Sequence, residues 1–233
     1  MKYVISNLYG DWAKYTAILK EIEFKKDDIL FVLGNIVDGG DKGIEILKDM
    51  MLRDNVYPIL GDHDYVAYEV LSGIWDETME DITAPLSKDL ADRCRKWTER
   101  GGEGTLDGFA KLSDEDKEAV IEYLEEFSLY EEVEAGGMEY VLCHSMPEGF
   151  LVDDTLDNYS AEDILSGKVD YDKDYFFGKV LVSAHDVTIE IDRNTHGRIF
   201  KNESHVAINC GSHLGGYTAA YCLDTGEEFY IEG

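Results

Sequence analysis

The chain has 233 residues, 44% of them hydrophobic, enough to build one domain around a large core. Its 50 acidic residues against 21 basic give a formal net charge of −29, a field that repels nucleic acid and anionic membranes and opposes general capture of phosphorylated substrates. No apolar run reaches the roughly 18 residues of a membrane span, and the first residues lack the basic and apolar regions of a leader. The cysteines (Cys94, Cys143, Cys210, Cys222) show no paired spacing, so a reduced, cytoplasmic protein without a zinc knuckle is expected.

In chain order, Lys2 to Ser6 reads as a buried strand and Asp11 to Ile22 as a helix with Tyr15, Ile18, Leu19 and Ile22 on its apolar stripe. Strand Ile29 to Leu33, helix Lys42 to Met51, strand Val56 to Leu60 and a helical segment around Val66 to Leu71 follow. That β-α-β-α-β order predicts parallel strands joined by helical crossovers. The pattern weakens from Trp75 to Gly108, read as an inserted helical cap, and Ser113 then starts a helix with Val120, Tyr123, Leu124 and Phe127 facing inward.

The second half reads as strand-rich: a hairpin of Leu129 to Glu134 and Met138 to Cys143 around Gly136-Gly137, and a short helix from Ser160 to Leu165. Strands are then predicted at Lys179 to Ser183, Thr188 to Ile191, His205 to Asn209, Tyr217 to Leu223 and Glu227 to Ile231. The result is an α/β chain with two packed sheets and helices outside.

Three strands run into small polar loops: Asn7-Leu8-Tyr9-Gly10-Asp11, Gly34-Asn35-Ile36-Val37-Asp38-Gly39-Gly40-Asp41, and Gly61-Asp62-His63-Asp64. The carboxyl ends of strands are where α/β proteins build sites. His63, His144 and His185 each follow an apolar strand, and with Asn35 and Asp62 they predict one convergent site suited to a transition metal. The blander readings are that Asp11 and Asp41 cap or begin helices, and that Asp64 only hydrogen-bonds near His63.

With the later His144-Ser145-Met146 and Ala184-His185-Asp186-Val187-Thr188, these motifs resemble, in order and spacing, the signature of the calcineurin-like metallophosphoesterases, in particular small bacterial Ser/Thr protein phosphatase-like proteins. Trp97 with Gly101-Gly102, Ile208-Asn209-Cys210-Gly211 and Gly215-Gly216 extend the match over nearly the whole chain. The resemblance implies a four-layer α/β/β/α sandwich in a single domain over residues 1–233, with the cap at about 75–108.

It also implies residue roles. His63, paired through Asp38, corresponds to the general acid. The positions that would hold metal one carry Asn7 and Tyr9, and the bridging position carries Asn35. A neutral amide is a weaker ligand than a carboxylate, and a phenol with a pKa near 10 rarely ligates at neutral pH. Asn35, Asp62, His144 and His185 leave room for one divalent ion (Mn, Fe or Zn), and a second is not expected. The phosphate-gripping arginines map to Gly39 and, on weaker spacing, to Gly167, with no nearby lysine as an obvious substitute.

A pseudophosphatase with little or no phosphomonoesterase activity and a binding role is therefore expected, for a protein partner or a neutral ligand rather than a phosphorylated one. The alternative is a single-metal phosphoesterase with His63 as acid. Neither nucleic acid nor membrane is an expected partner, and Tyr9 is expected to plug the metal-one space.

Overall fold

The computed structural model describes residues 1–232. Alternation decides its layers. On β1 (Lys2–Ile5), Val4 faces one way and Ile5 the other, and both are fully buried. β1 pairs in parallel with β2 (Ile29–Leu33), and β2 in parallel with β3 (Val56–Ile59). The crossovers are α1 (Trp12–Glu21) and α2 (Gly43–Met51), as the β-α-β order predicts. α3 (Asp62–Glu80), α4 (Lys88–Trp97), α5 (Glu103–Ala110) and α6 (Asp114–Glu125) follow.

The second half supplies β4 (Tyr130–Ala135), β5 (Met138–Cys143), α7 (Ala161–Ser166), β6 (Lys179–Ser183), α8 (Thr188–Ile191), β7 (Phe200–Lys201), β8 (His205–Ala207), β9 (Tyr217–Cys222) and β10 (Glu228–Glu232). One mixed sheet runs β10-β9-β1-β2-β3 and the other β4-β5-β6-β8-β7.

Between the sheets, Val4, Phe31, Leu33 and Ile59 of the first meet Tyr140, Leu142, Val180 and Val182 of the second. The other face of the first sheet, with Ile5, Leu30 and Val32, packs on Tyr15, Ile18, Leu47, Leu71 and Leu124 from α1, α2, α3 and α6. Each such buried aliphatic contributes about 1.5–3 kcal/mol relative to exposure. The outer face of the second sheet (Val141, Cys143, Leu181) is covered by Phe150, Leu156, Ile164 and Tyr175 from α7 and its flanking loops.

Several boundaries differ from the sequence reading. Thr188 to Ile191 alternates like a strand but forms one helical turn, because Thr188 N–H is tied to Asn209 O (2.9 Å) and Asp192 N–H closes on Thr188 O (3.0 Å). α3 begins at Asp62 rather than near Val66, which places His63 in its first turn. The two-residue β7 went unpredicted. Asp11 does cap α1, its carboxylate accepting from Lys14 N–H (3.0 Å), whereas Lys42 rather than Asp41 stands at the start of α2.

Candidate functional site

The loops after β1, β2, β3, β5 and β6 converge, and backbone bonds lock them together. Asn7 N–H donates to Gly34 O (3.0 Å), Tyr9 N–H to Asn35 O (2.9 Å) and Gly10 N–H to Ile36 O (2.8 Å). The second sheet is tied in by Asn7 Nδ2 donating to Ala184 O (2.9 Å) and by His144 Nδ1 donating to Leu33 O (2.8 Å). The approach is close enough that a Cβ on Gly34, at φ +73°, would fall 2.5 Å from Gly61 Cα. Among the described residues, Asn7, Tyr9, Asn35 and Asp38 are four of the six non-glycine residues with positive φ. Such conformations persist only where the surroundings over-determine them, and they gather at functional sites.

Two carboxylates organise the interior. Asp64, fully buried, accepts from the N–H groups of Asn35 (2.7 Å), Ile36 (2.9 Å), Val37 (3.2 Å) and Gly61 (3.1 Å), so it shapes the β2 loop rather than acting on a ligand. Burial pushes its carboxyl up to about 6, against the pull of those donors. Asp38, also fully buried, accepts from His63 Nδ1 (3.0 Å), Trp97 Nε1 (2.9 Å) and Thr105 Oγ1 (2.9 Å). Burial works to lower the His63 pKa, but the bond to Asp38 and the charges of Asp62 and Asp38 outweigh it and leave the pKa raised. The contact fixes the His63 tautomer, with Nδ1–H on Asp38 and Nε2 free.

The donors offered to metal ions are a different matter. Tyr9, whose hydroxyl burial pushes up to about 12, takes a weak bond from Asn35 Nδ2 (3.3 Å). Its ring stands edge-on to His63 (centroids 5.4 Å) and tilted against His213 (4.5 Å). Asn35 Oδ1 already accepts from His63 N–H (3.2 Å), and Asn7 Oδ1 is buried without a partner.

Asp62, His144 and His185 do lie together. His144 Nε2 is 3.2 Å from Asp62 Oδ1, and the two imidazole rings meet edge to face at 5.6 Å. Burial works to raise the Asp62 pKa, but the hydrogen bond and charge of His144 hold that carboxyl well below its usual range. Among the described residues, no three His, Cys, Asp or Glu side chains are arranged to hold one ion. With amides and a phenol in place of charged donors on the Asn7 side, these residues do not fit a two-ion centre.

Gly167, the other position matched to a phosphate-gripping arginine, is tightly enclosed. A Cβ there would sit 1.8 Å from the Met146 carbonyl oxygen, so no side chain fits. Gly39, at φ +71°, lies over Tyr9, whose Cβ is 3.3 Å from where a side chain would start. Several cations stand nearby that sequence reasoning missed. The bond to Asp186 raises the His185 pKa against burial and the opposing charge of Lys168, and Lys14, Lys42 and Arg100 line a cleft of about 880 Å³ together with Tyr9, Gly39 and His63. The only signal for Arg100 was its place beside the Gly101-Gly102 pair.

A sequence model of the calcineurin-like phosphoesterases matches residues 3–188. The symmetrical bis(5'-nucleosyl)-tetraphosphatase of Buchnera aphidicola is 30% identical over 104 residues, 41% of this chain and 38% of that protein. Its Cronobacter sakazakii counterpart is 31% identical over 101 residues, 42% of this chain and 36% of that one, so the match spans well under half the length of both relatives. Among solved structures, one provisionally described as a diadenosine tetraphosphatase superposes with a TM-score of 0.64 at 13% identity, covering 100% of this chain and 93% of that one. At that identity the likeness speaks for the fold alone. The family match over residues 3–188, borne on two mixed sheets flanked by helices, makes this chain a member of the calcineurin-like phosphoesterase family.

Proposed function

We propose that this protein is a binding member of its family that has lost two-metal phosphoester hydrolysis. One observation carries the reading: the Asn7–Tyr9–Asn35 corner offers no charged donor, and the Tyr9 ring packs where the family's motif places a histidine. Two ions would clamp the attacking and leaving oxygens of a displacement and generate the nucleophile. Without the charged donors, that clamp has nothing to stand on.

The chain's own residues still offer His63, which lines the cleft with Nδ1–H on Asp38 and can hold a proton or donate one to a bound oxygen. Asp38 is itself immobilised by Trp97 and Thr105, so the imidazole is pre-positioned. This intact pair favours a second reading, a residual hydrolase that relies on His63. The relatives are named for action on bis(5'-nucleosyl) tetraphosphates, so anhydrides belong beside esters in the assay.

The test is turnover of p-nitrophenyl phosphate and of diadenosine tetraphosphate with manganese added, for wild type and His63→Ala. The proposal expects no turnover above the blank in either protein. Turnover lost in His63→Ala would establish the residual hydrolase instead.

A further inference from the structure

We infer that the surface around Phe177, at the start of β6, docks a basic polypeptide segment that presents aliphatic side chains. The surface lies away from the His63 cleft and stands whether or not that cleft turns over a substrate.

Three aromatic residues in a row precede β6, and they part company. Tyr175 and Phe176 pack on Phe150, with ring centroids 6.0 and 5.4 Å away. Phe177 is turned outward and is 98% exposed. Gly178 then turns the chain at φ +73° into Lys179 of β6, which leaves the Phe177 ring on a corner between two grooves. One groove, of about 420 Å³, runs past Met138, Val152 and Val180. The other, of about 240 Å³, runs past Tyr130, Val152 and Leu156. Val152 is 50% exposed and Met138 46%, so the bare ring belongs to a continuous apolar surface. A lone exposed apolar side chain needs no explanation, whereas a contiguous patch marks an interaction site. The patch sits at the amino-terminal ends of β5 and β6, while His144 and His185 follow their carboxyl ends, so the length of the strands separates it from the cleft.

Charge selects the occupant. Asp174 and Glu203 border the first groove, Glu132 and Asp154 the second. The one cation lining either groove is Lys179, which is bonded to Glu132 and lies 3.9 Å from Glu139. The apolar surface is thus ringed by carboxylates, and its single positive charge is already shared. A second copy would bring the same carboxylates against themselves, because a two-fold contact sets a patch on its own image. An anionic membrane is repelled by the same groups and by the net charge of −29. Lysine or arginine side chains would instead meet the four carboxylates, while aliphatic neighbours on the same segment fill the grooves on either side of Phe177. An aromatic anchor desolvated in this way is what carries most of the energy of an interface.

A short peptide of alternating lysine and valine is titrated into the isotope-labelled full-length chain, and the backbone N–H signals of Glu132, Phe177 and Val180 are followed by NMR. Saturable shifts confined to the two grooves are expected, with binding at least about ten-fold weaker in Phe177→Ser. The Phe177 side chain is bare in the folded chain, so that variant keeps its fold. Leu52→Ser, at an 85% exposed residue closing α2 beyond the first sheet, is expected to bind as wild type does. A peptide of alternating glutamate and valine is expected to give no shift.

Equal binding by wild type and Phe177→Ser would overturn the inference, as would shifts that are absent or spread over the whole surface. Equally tight binding by a peptide of alternating lysine and serine would overturn it too, since charge alone would then suffice. A dimer in sedimentation that Phe177→Ser dissolves would give the surface to a second copy. Co-sedimentation with anionic vesicles, lost in the same variant, would give it to a membrane. Either result overturns the assignment to a basic segment.

Discussion

The His63–Asp38 side and the Asn7–Tyr9–Asn35 side of the site are built on neighbouring loops of one sheet, yet they differ in what their side chains are held by. Asp38 has every oxygen spoken for by His63, Trp97 and Thr105. Across the loop, Asn7 leaves a buried carbonyl oxygen without a partner, and Tyr9 holds Asn35 only at 3.3 Å. The backbone beneath both sides is equally regular, stitched by the Asn7–Gly34, Tyr9–Asn35 and Gly10–Ile36 bonds. Loop shape here is carried by the main chain and by Asp64, while metal chemistry depends on side-chain charge. Asn is at home at the φ of 55° found at positions 7 and 35, so an amide can replace a carboxylate there without disturbing the loop. A frame can therefore outlive its chemistry.

The largest effect is expected where that frame is anchored. Asp64→Ala leaves four backbone N–H groups without their acceptor, and at about 1–3 kcal/mol for each buried orphan the loss should exceed about 4 kcal/mol in urea denaturation. A loss below about 1 kcal/mol would mean the loops are held by something else. Asp38→Asn comes next. It keeps the volume but turns a donor toward groups that donate, so about 2–3 kcal/mol should be lost, together with the downfield Nδ1–H resonance of His63. If Asn35→Ala costs as much, the contrast between the two sides fails.

The smallest effect separates the frame from the site altogether. His205, buried on β8 with Nε2 on Lys173 O at 2.8 Å, has its pKa lowered from 6.5, chiefly by burial. The unfolded chain then binds the proton more readily. The stability gained by keeping His205 neutral is fully present above pH 6.5 and is lost as pH falls through the lower folded value. Denaturation midpoints for wild type and His205→Asn should converge as the pH drops below 6.5, and parallel curves would contradict this.

Much of the fold was legible because its strands are short, apolar and β-branched. Ile29–Leu33 and Lys179–Ser183 carry their boundaries in composition alone, and Asp11 announces its helix through its side chain. Thr188–Ile191 was not legible, because its alternation suits a strand while its hydrogen bonds come from a distant loop. The convergence of Asp62, His63, His144 and His185 could be read from strand ends. Arg100 and Lys168 could not, since nothing local shows that segment 100–102 folds back onto Gly39 or that Lys168 comes to rest near His185. Nor does the sequence show how tightly Gly167 is enclosed, with the Met146 carbonyl leaving no room for a Cβ.

The central claim is that the Asn7–Tyr9–Asn35 corner holds no ion, and manganese stoichiometry tests it most directly. The native chain is dialysed to equilibrium against excess manganese and compared with the Asn7→Asp, Tyr9→His, Asn35→Asp, Asp62→Asn combination. Fewer than two ions on the native chain and two on the combined variant is the predicted result. Two ions on the native chain would contradict it.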